Sequence, residues 1–172
     1  MGGGALLLAL GGRPMAAQQT PAPPASPPRD CSAPEHRQFD FWEGDWTVTD
    51  SAGQVSYGTS RITREESGCL LRERWTGARG GTGQSLNFYD RVTGTWAQVW
   101  VASNGTVLRL TGGLAGAAMR LEGASGTGAS AVRNRITWTP QPDGRVRQTW
   151  TVSRDGGATW QPSFDGWYRR TP

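Results

Sequence analysis

Polar and apolar residues alternate with a period of two along most of the chain after residue 35. Leu71 and Trp75 fall on one side of such a segment, and Arg72 and Arg74 fall on the other. This period is typical of β-strands, whose successive side chains point to opposite faces of a sheet. No apolar pattern with helical spacing extends beyond two turns. The pattern therefore predicts an all-β protein.

Glycine-rich and Asp/Asn turns divide this pattern into short strands. The predicted strands are Asp45–Asp50, Val55–Arg64, Cys69–Thr76, Gln84–Tyr89, Trp96–Ala102, Thr106–Thr111, Ala118–Glu122, Val132–Thr139, Val146–Ser153 and Trp160–Arg169. The short connections favour antiparallel, up-and-down pairing. About 8–10 strands in one small domain avoid open edges best by closing into a barrel, and a two-sheet sandwich is the alternative. Before the first strand, Phe39-Asp-Phe-Trp42 predicts a short aromatic 3₁₀ turn.

The chain divides into three parts. Residues 1–17 hold a short apolar run followed by small residues, as in a secretory signal segment. Residues 18–34 form a Pro-rich segment that predicts a disordered linker, because seven of the 11 prolines fall at or before Pro34. Residues 35–172 form the predicted barrel domain. We therefore expect a periplasmic or secreted protein.

Charge and composition exclude several kinds of partner. All 18 basic residues are Arg, and with 14 acidic residues they give a formal net charge of +4. They are scattered along the strands, which indicates a solvated face and no nucleic-acid partner. The N-terminal apolar run is too short for a membrane span. With one His and two Cys, no metal and no cofactor is expected. The expected partner is a small-molecule ligand, and the expected state is a monomer or homodimer.

The sequence contains a single histidine, His36, and two cysteines, Cys31 and Cys69. His36 lies outside the predicted strands beside Arg37, and we expect it at the surface, where it offers little basis for a Ser–His–Asp triad. Cys31 and Cys69 form an even pair in a chain expected to be exported, which favours a disulfide. Cys69 fits a small buried apolar residue equally well, so both alternatives stay open.

The segment Gly44-Asp45-Trp46 at the start of the first strand resembles the G-x-W motif of the calycin superfamily, which includes the lipocalins and fatty-acid-binding proteins. The resemblance implies a β-barrel with a 3₁₀ turn plugging one end. It also implies that Trp46 packs over that end beneath an Arg from the last strand. Arg170 shares strand parity with Tyr168, so Arg170 rather than Arg169 is expected there.

The chain more particularly resembles a family of exported bacterial lipocalin-like proteins, over about Glu35 to Arg170. The residues that carry this resemblance are Phe39-Asp-Phe-Trp-Glu-Gly-Asp-Trp46, Gly83-Gln-Ser-Leu-Asn-Phe-Tyr-Asp90 and Arg147-Gln-Thr-Trp150. It implies a fold and no activity. Haem-binding calycins such as nitrobindins take a proximal His from a barrel strand. No predicted strand here carries a His, so haem is not expected.

A second motif, Ser153-Arg-Asp-Gly-Gly-Ala-Thr-Trp160, resembles the Asp-box of sialidases and other β proteins. The motif implies a structural turn. Asp155 would accept hydrogen bonds from turn N–H groups, and Trp160 would cover the hairpin. It does not imply sialidase activity.

The face opposite the arginines is the candidate interior of the barrel, and it mixes tryptophans with polar residues. The predicted ligand-binding set is Glu73, Trp75, Asn87, Tyr89, Trp96, Gln98, Trp100, Gln148 and Trp150. Aromatic walls with a few convergent polar groups are typical of a small-molecule pocket. On the fourth and fifth strands the opposite parity is an alternative, since Leu86, Phe88, Val99 and Val101 also suit an interior.

The sequence thus favours an exported protein that binds a partly apolar or ring-shaped molecule inside the barrel. Glu73 is the one weak catalytic candidate, because apolar surroundings beside Trp75 would raise the pKa of its carboxyl toward the range useful for acid–base catalysis. The alternatives are an enzyme on the same barrel that uses Glu73, or a structural domain with a filled core.

Overall fold

The computed structural model describes residues 1–3 and 31–171. Ten antiparallel strands close into one barrel, in which each strand pairs with its neighbours in chain order and β10 returns to β1. The strands are β1 (Gly44–Thr49), β2 (Ser56–Glu65), β3 (Leu70–Gly77), β4 (Thr82–Asp90), β5 (Thr95–Ala102), β6 (Val107–Ala115), β7 (Ala118–Ser125), β8 (Val132–Pro140), β9 (Val146–Ser153) and β10 (Gln161–Arg170). This confirms the all-β, up-and-down barrel and excludes the sandwich.

The strand ends differ most from prediction at β6. The prediction ended this strand at Thr111, but the strand continues through two glycines to Ala115. Gly112 pairs with Leu121 of β7, and a Cβ built on Gly112 would collide with the carbonyl oxygen of Arg120. This glycine therefore allows a close approach of two backbones rather than a turn.

A short N-terminal segment closes one end of the barrel. It comprises α1 (Pro34–Arg37) and a 3₁₀ turn at Asp40–Trp42, which confirms the predicted aromatic turn. Phe39 and Trp42 are fully buried and stack with ring centroids 4.9 Å apart. Trp138 meets both rings from the barrel wall. We call residues 34–42 the plug.

Beside the plug, the first and last strands meet at an aromatic–cationic contact. The guanidinium of Arg170 lies 4.5 Å from the ring centroid of Trp46, and the Trp46 Nε1 donates to the carbonyl oxygen of Trp42 at 2.9 Å. Gly44 has φ +139°, and a Cβ there would collide with the Arg170 guanidinium. Arg169 instead points away, with its Nε 3.4 Å from Thr49 Oγ1. Gly44 is therefore needed because it leaves room for the Arg170 guanidinium, whereas Trp46 supplies the ring against which that guanidinium packs.

Cys31 and Cys69 form a disulfide, which the sequence left undecided. It joins the chain just before the plug to the residue preceding β3. The predicted signal segment and most of the predicted linker fall on residues 4–30, outside the described residues. The last four linker positions, 31–34, belong to the described part and include the start of α1.

The expectation that His36 lies at the surface is wrong. His36 is 4% exposed, and its ring meets the edge of Tyr89 at 5.2 Å between centroids. The residue belongs to α1, which packs against β4. The prediction that His36 lies outside the strands is correct. The sequence pattern did not indicate the one-turn helix that covers this end of the barrel and buries the side chain.

At the other end of the barrel, the Asp-box forms the β9–β10 turn. Asp155 accepts hydrogen bonds from the hydroxyl of Thr159 at 2.6 Å, from the N–H of Thr159 at 2.9 Å and from the hydroxyl of Ser153 at 2.7 Å, and these bonds hold the pKa of its carboxyl well below the ordinary value. Trp160 packs beneath the guanidinium of Arg135, 3.9 Å from its ring centroid. The motif therefore builds a rigid hairpin on the rim.

Within residues 1–3 and 31–171, no helix has the length and apolar character needed to cross a membrane.

Candidate ligand-binding cavity

Inside the barrel, a cavity of about 290 Å³ extends from Trp138, which contacts the plug, to Trp75, Trp100 and Phe164 toward the opposite end. Its walls are formed by Glu73, Trp75, Gln98, Trp100, Leu108, Ile136, Trp138, Gln148, Trp150, Phe164 and Tyr168. A wider basin of about 870 Å³ lies at the open end, lined by the β1–β2, β3–β4 and β5–β6 connections and the start of β10. Trp75, Trp100 and Phe164 line both spaces, so they form the passage between them.

Glu73 of β3 is the one carboxyl group that the described residues contribute to the cavity wall, and it is 5% exposed. Its Oε1 accepts a hydrogen bond from the hydroxyl of Ser60, and its Oε2 accepts one from the hydroxyl of Ser85, both at 2.9 Å. Burial raises the pKa of Glu73 to about 7, and the two serine bonds oppose this rise without cancelling it. The carboxyl is therefore poised between its two charge states near neutral pH.

A chain of hydrogen bonds leads from Glu73 toward β5. The Asn87 amide nitrogen donates to Ser85 Oγ at 2.9 Å and to the Leu71 carbonyl oxygen at 3.0 Å. The Gln98 Nε2 donates to Asn87 Oδ1 at 2.7 Å. Because Asn87 donates to Ser85, the Ser85 hydroxyl is free to donate to Glu73, and this fixes the orientation of the carboxylate.

A second polar pair faces the cavity from β9 and β10. Tyr168 donates its hydroxyl proton to Gln148 Oε1. Burial raises the pKa of Tyr168 well above its ordinary value, and the negative charge of nearby Glu73 adds to this rise. The Nε2 group of Gln148 makes no hydrogen bond to a described residue and remains a donor for another molecule.

The tryptophans of the wall are held in defined positions. Trp150 donates its Nε1 hydrogen to Asn134 Oδ1 at 3.0 Å. Trp100 lies flat against Gly83, where any Cβ would collide with the indole ring. A glycine on β4 thus makes the room that brings the Trp100 ring into the passage.

Six of the nine residues predicted to bind ligand line this cavity: Glu73, Trp75, Gln98, Trp100, Gln148 and Trp150. Asn87, Tyr89 and Trp96 also point inward, but they do not line the cavity. Trp96 donates its Nε1 hydrogen to the Glu35 carbonyl oxygen beneath the plug, and Tyr89 packs against His36. Strand parity identifies the inner face but does not give depth along the barrel, so the prediction included residues at the closed end.

Five wall residues were missing from the predicted set: Leu108, Ile136, Trp138, Phe164 and Tyr168. The same alternation on β6, β8 and β10 points to them. The inverted parity considered for β4 and β5 is wrong, because Leu86 and Val101 lie on the outer face with 39% and 49% of their surface exposed.

In the part of the chain that the structure describes, no cluster of three or more His, Cys, Asp or Glu is placed to hold a metal ion.

The fold and the cavity define a closed up-and-down β-barrel with an internal pocket, an architecture compatible with the lipocalin-like fold. Comparison of the chain with models of protein families and with the sequences of curated proteins gave no match.

Proposed function

We propose that this protein is an exported binding protein that holds a small, partly apolar, ring-bearing molecule inside the barrel. The observation that carries this proposal is the cavity of about 290 Å³ between Trp75, Trp100 and Trp150. Pockets for small ligands have volumes of about 300–1,000 Å³ and combine apolar walls with a few placed polar groups. The cavity suits a molecule of one or two rings.

The polar groups of the wall support a role in orienting a ligand. Glu73 offers acceptor oxygens, and Gln148 offers amide N–H groups with no partner among the described residues. In a filled core such groups would be satisfied within the protein. The arrangement therefore favours a binding cavity over a purely structural interior.

Export is supported by the disulfide as well as by the predicted signal segment. Disulfides persist in the periplasm and outside the cell and are rare in the cytosol. The bond between Cys31 and Cys69 ties down the chain immediately before the plug. The proposal therefore assigns the protein to the periplasm or the secreted fraction.

Native mass spectrometry of protein purified from its own host tests the proposal. We expect a small molecule that stays bound in the native state and is released on denaturation. Leu108→Trp, which fills the cavity from β6, should abolish the adduct, whereas Arg109→Trp on the outer face should keep it. Protein that carries no adduct and binds no ring compound would contradict the proposal.

Substitutions in the wall should weaken binding of the retained molecule. We expect Trp100→Ala or Gln148→Ala to cost about 1–3 kcal/mol of binding free energy without unfolding the barrel. Quenching of intrinsic tryptophan fluorescence during titration measures the affinity. Val101→Ala, on the opposite face of the same strand as Trp100, is the matched control and should leave the affinity unchanged.

One observation favours a second function, an enzyme that uses Glu73 as a general acid or base. The pKa of about 7 suits proton transfer at neutral pH, and the carboxyl faces the cavity. Glu73→Gln separates the two functions once the ligand is known: an enzyme would lose conversion of the bound molecule altogether, whereas a binding protein would leave it chemically unchanged in both forms.

A further inference from the structure

Among the described residues, the cavity wall carries one acidic group and no basic side chain. Glu73 is its only carboxyl, and none of the ion pairs among the described residues includes it. The neighbouring arginines of β3, Arg72 and Arg74, lie on the outer face and pair with Glu65. The ionised form of Glu73 therefore lacks a counter-ion within the described chain, whereas buried charges in proteins are normally paired.

The aromatic residues of the cavity wall also favour a positively charged ligand, as the Glu73 carboxylate does. Six aromatic residues surround the space: Trp75, Trp100, Trp138, Trp150, Phe164 and Tyr168. The face of an aromatic ring carries partial negative charge, so it attracts a cation and disfavours an anion. The carboxylate and the aromatic rings therefore both favour a positively charged ligand.

Glu73 also keeps free hydrogen-bonding capacity. A carboxylate has about four lone-pair positions, and the bonds from Ser60 and Ser85 use one on each oxygen. The two serines fix the carboxylate in place and leave positions for a further donor. A protonated amine supplies such donors together with the missing positive charge, and a quaternary ammonium group supplies the charge alone.

We infer that the cavity selects an organic cation: a ring that carries an ammonium or quaternary ammonium group, with the cation beside Glu73 and the ring among the tryptophans. This inference rests on the proposed function and narrows its ligand class. It also gives the two serines a role as positioning residues, since they orient the carboxylate toward the ligand.

Three probes of nearly equal size and different charge test the inference: 2-phenylethylamine, 2-phenylethanol and phenylacetate. Each is titrated at pH 8 into the full chain with its disulfide intact, by calorimetry and by tryptophan fluorescence. We expect the amine to bind at least about tenfold more tightly than the alcohol, and the carboxylate to bind most weakly.

Glu73→Gln keeps the shape of the side chain and removes its charge. We expect this variant to lower the affinity for the amine to that for the alcohol, while the affinity for the alcohol stays within about twofold of the parent protein. Glu122→Gln makes the same change of charge on the outer face, where Glu122 pairs with Arg135, and should change neither affinity.

A pH series on the unaltered protein gives an independent measurement. Benzyltrimethylammonium keeps its charge at every pH, so any change in its affinity reports on the protein. Ser60 of β2, Ser85 of β4 and Tyr168 of β10 face Glu73, and Tyr168 stays protonated because its pKa is raised. We expect the affinity to rise about tenfold or more between pH 5.5 and 8.5 as Glu73 ionises.

The outcomes distinguish a failure of the proposed preference for cations from a failure of the proposed ligand-binding function. If the alcohol or phenylacetate binds as tightly as the amine, the preference for cations is wrong and the binding function stands. The same holds if the affinity for benzyltrimethylammonium does not change with pH. If no probe binds at millimolar concentration and no molecule is retained from the host, both proposals are wrong.

Discussion

Trp46 illustrates how much one residue contributes at the closed end of the barrel. Its ring faces the Arg170 guanidinium, its Nε1 donates to Trp42, and Tyr168 meets it with ring centroids 6.2 Å apart. The side chain is 1% exposed. Removing it would leave a large cavity, an unpaired carbonyl and a guanidinium without its aromatic partner.

We therefore expect Trp46→Ala to lower the free energy of unfolding by about 3–5 kcal/mol, as truncations of large buried aromatics do. Thermal melting followed by circular dichroism measures this, and the midpoint should fall by roughly 10 °C or more. Arg170→Met, which keeps packing but removes the charge, should cost about 0.5–2 kcal/mol. A shift of only a degree or two for Trp46→Ala would contradict this account.

Among the elements, the plug is held at both ends by contacts to other parts of the chain. The disulfide between Cys31 and Cys69 holds its N-terminal side. Arg64 of β2 holds its C-terminal side through Asp40 and through Glu43, whose Oε2 lies 3.0 Å from Nη2. The plug is too short to be stable alone, so its position depends on these attachments and on the aromatic contacts beneath it.

Replacing both cysteines by serine should lower the free energy of unfolding by about 2–4 kcal/mol. The bond closes a loop of 38 residues, and releasing it increases the chain entropy of the unfolded state. Urea unfolding with and without reductant measures the effect: reductant should destabilise the parent protein to the level of the variant and leave the variant unchanged. Two free thiols in protein that was purified aerobically and unfolded without reductant would show that the bond does not form.

The sequence predicts the elements well because a β-barrel with one wet face imposes a period of two on every strand. The period places Glu73 and Gln148 opposite the arginines of their strands, which predicts the inner face for both, whereas on the fifth strand it left either face open for Trp100. Their depth along the barrel, which separates Trp100 from Trp96, depends on the stagger between paired strands, and the sequence does not show it. The burial of His36 likewise depends on the plug, a contact between distant parts of the chain.

In the molecule as a whole, the barrel has two different interiors. The closed end is packed with buried aromatics such as Phe39, Trp42 and Trp96. The half toward the mouth contains the cavity and an unpaired buried carboxyl at Glu73. The packed closed end raises the free energy of unfolding, and the cavity half with its buried carboxyl lowers it. Such a division is common in proteins that carry a functional site.

This cost should appear in the pH dependence of unfolding. The pKa of Glu73 is about 7 in the folded protein and has an ordinary value of 4.5, so between these values the folded state holds a proton that the unfolded state has released. The free energy of unfolding should therefore fall as pH rises from about 4.5 to about 7, by about 3 kcal/mol, and stay level above that range.

Urea unfolding across this pH range compares the parent protein with Glu73→Gln. The difference between the two profiles isolates Glu73 from the other carboxyls. We expect the variant to lack this decline and to be the more stable protein above pH 7, while Glu122→Gln keeps the decline. Parallel profiles for the parent and Glu73→Gln would mean that Glu73 is not buried as an unpaired acid.

The order of the strands around the barrel has a consequence for how the chain folds. Nine of the ten pairings join strands that are neighbours in the chain, and the tenth joins β1 to β10. Along that last pairing, Thr47 and Thr171 approach across 124 positions. Local hairpins form at a low cost in loop entropy, so we expect the distant pair to form late. Trp46 and Arg170 face each other in this pairing, and we therefore expect them to meet in the step that completes both the sheet and the closed end of the barrel.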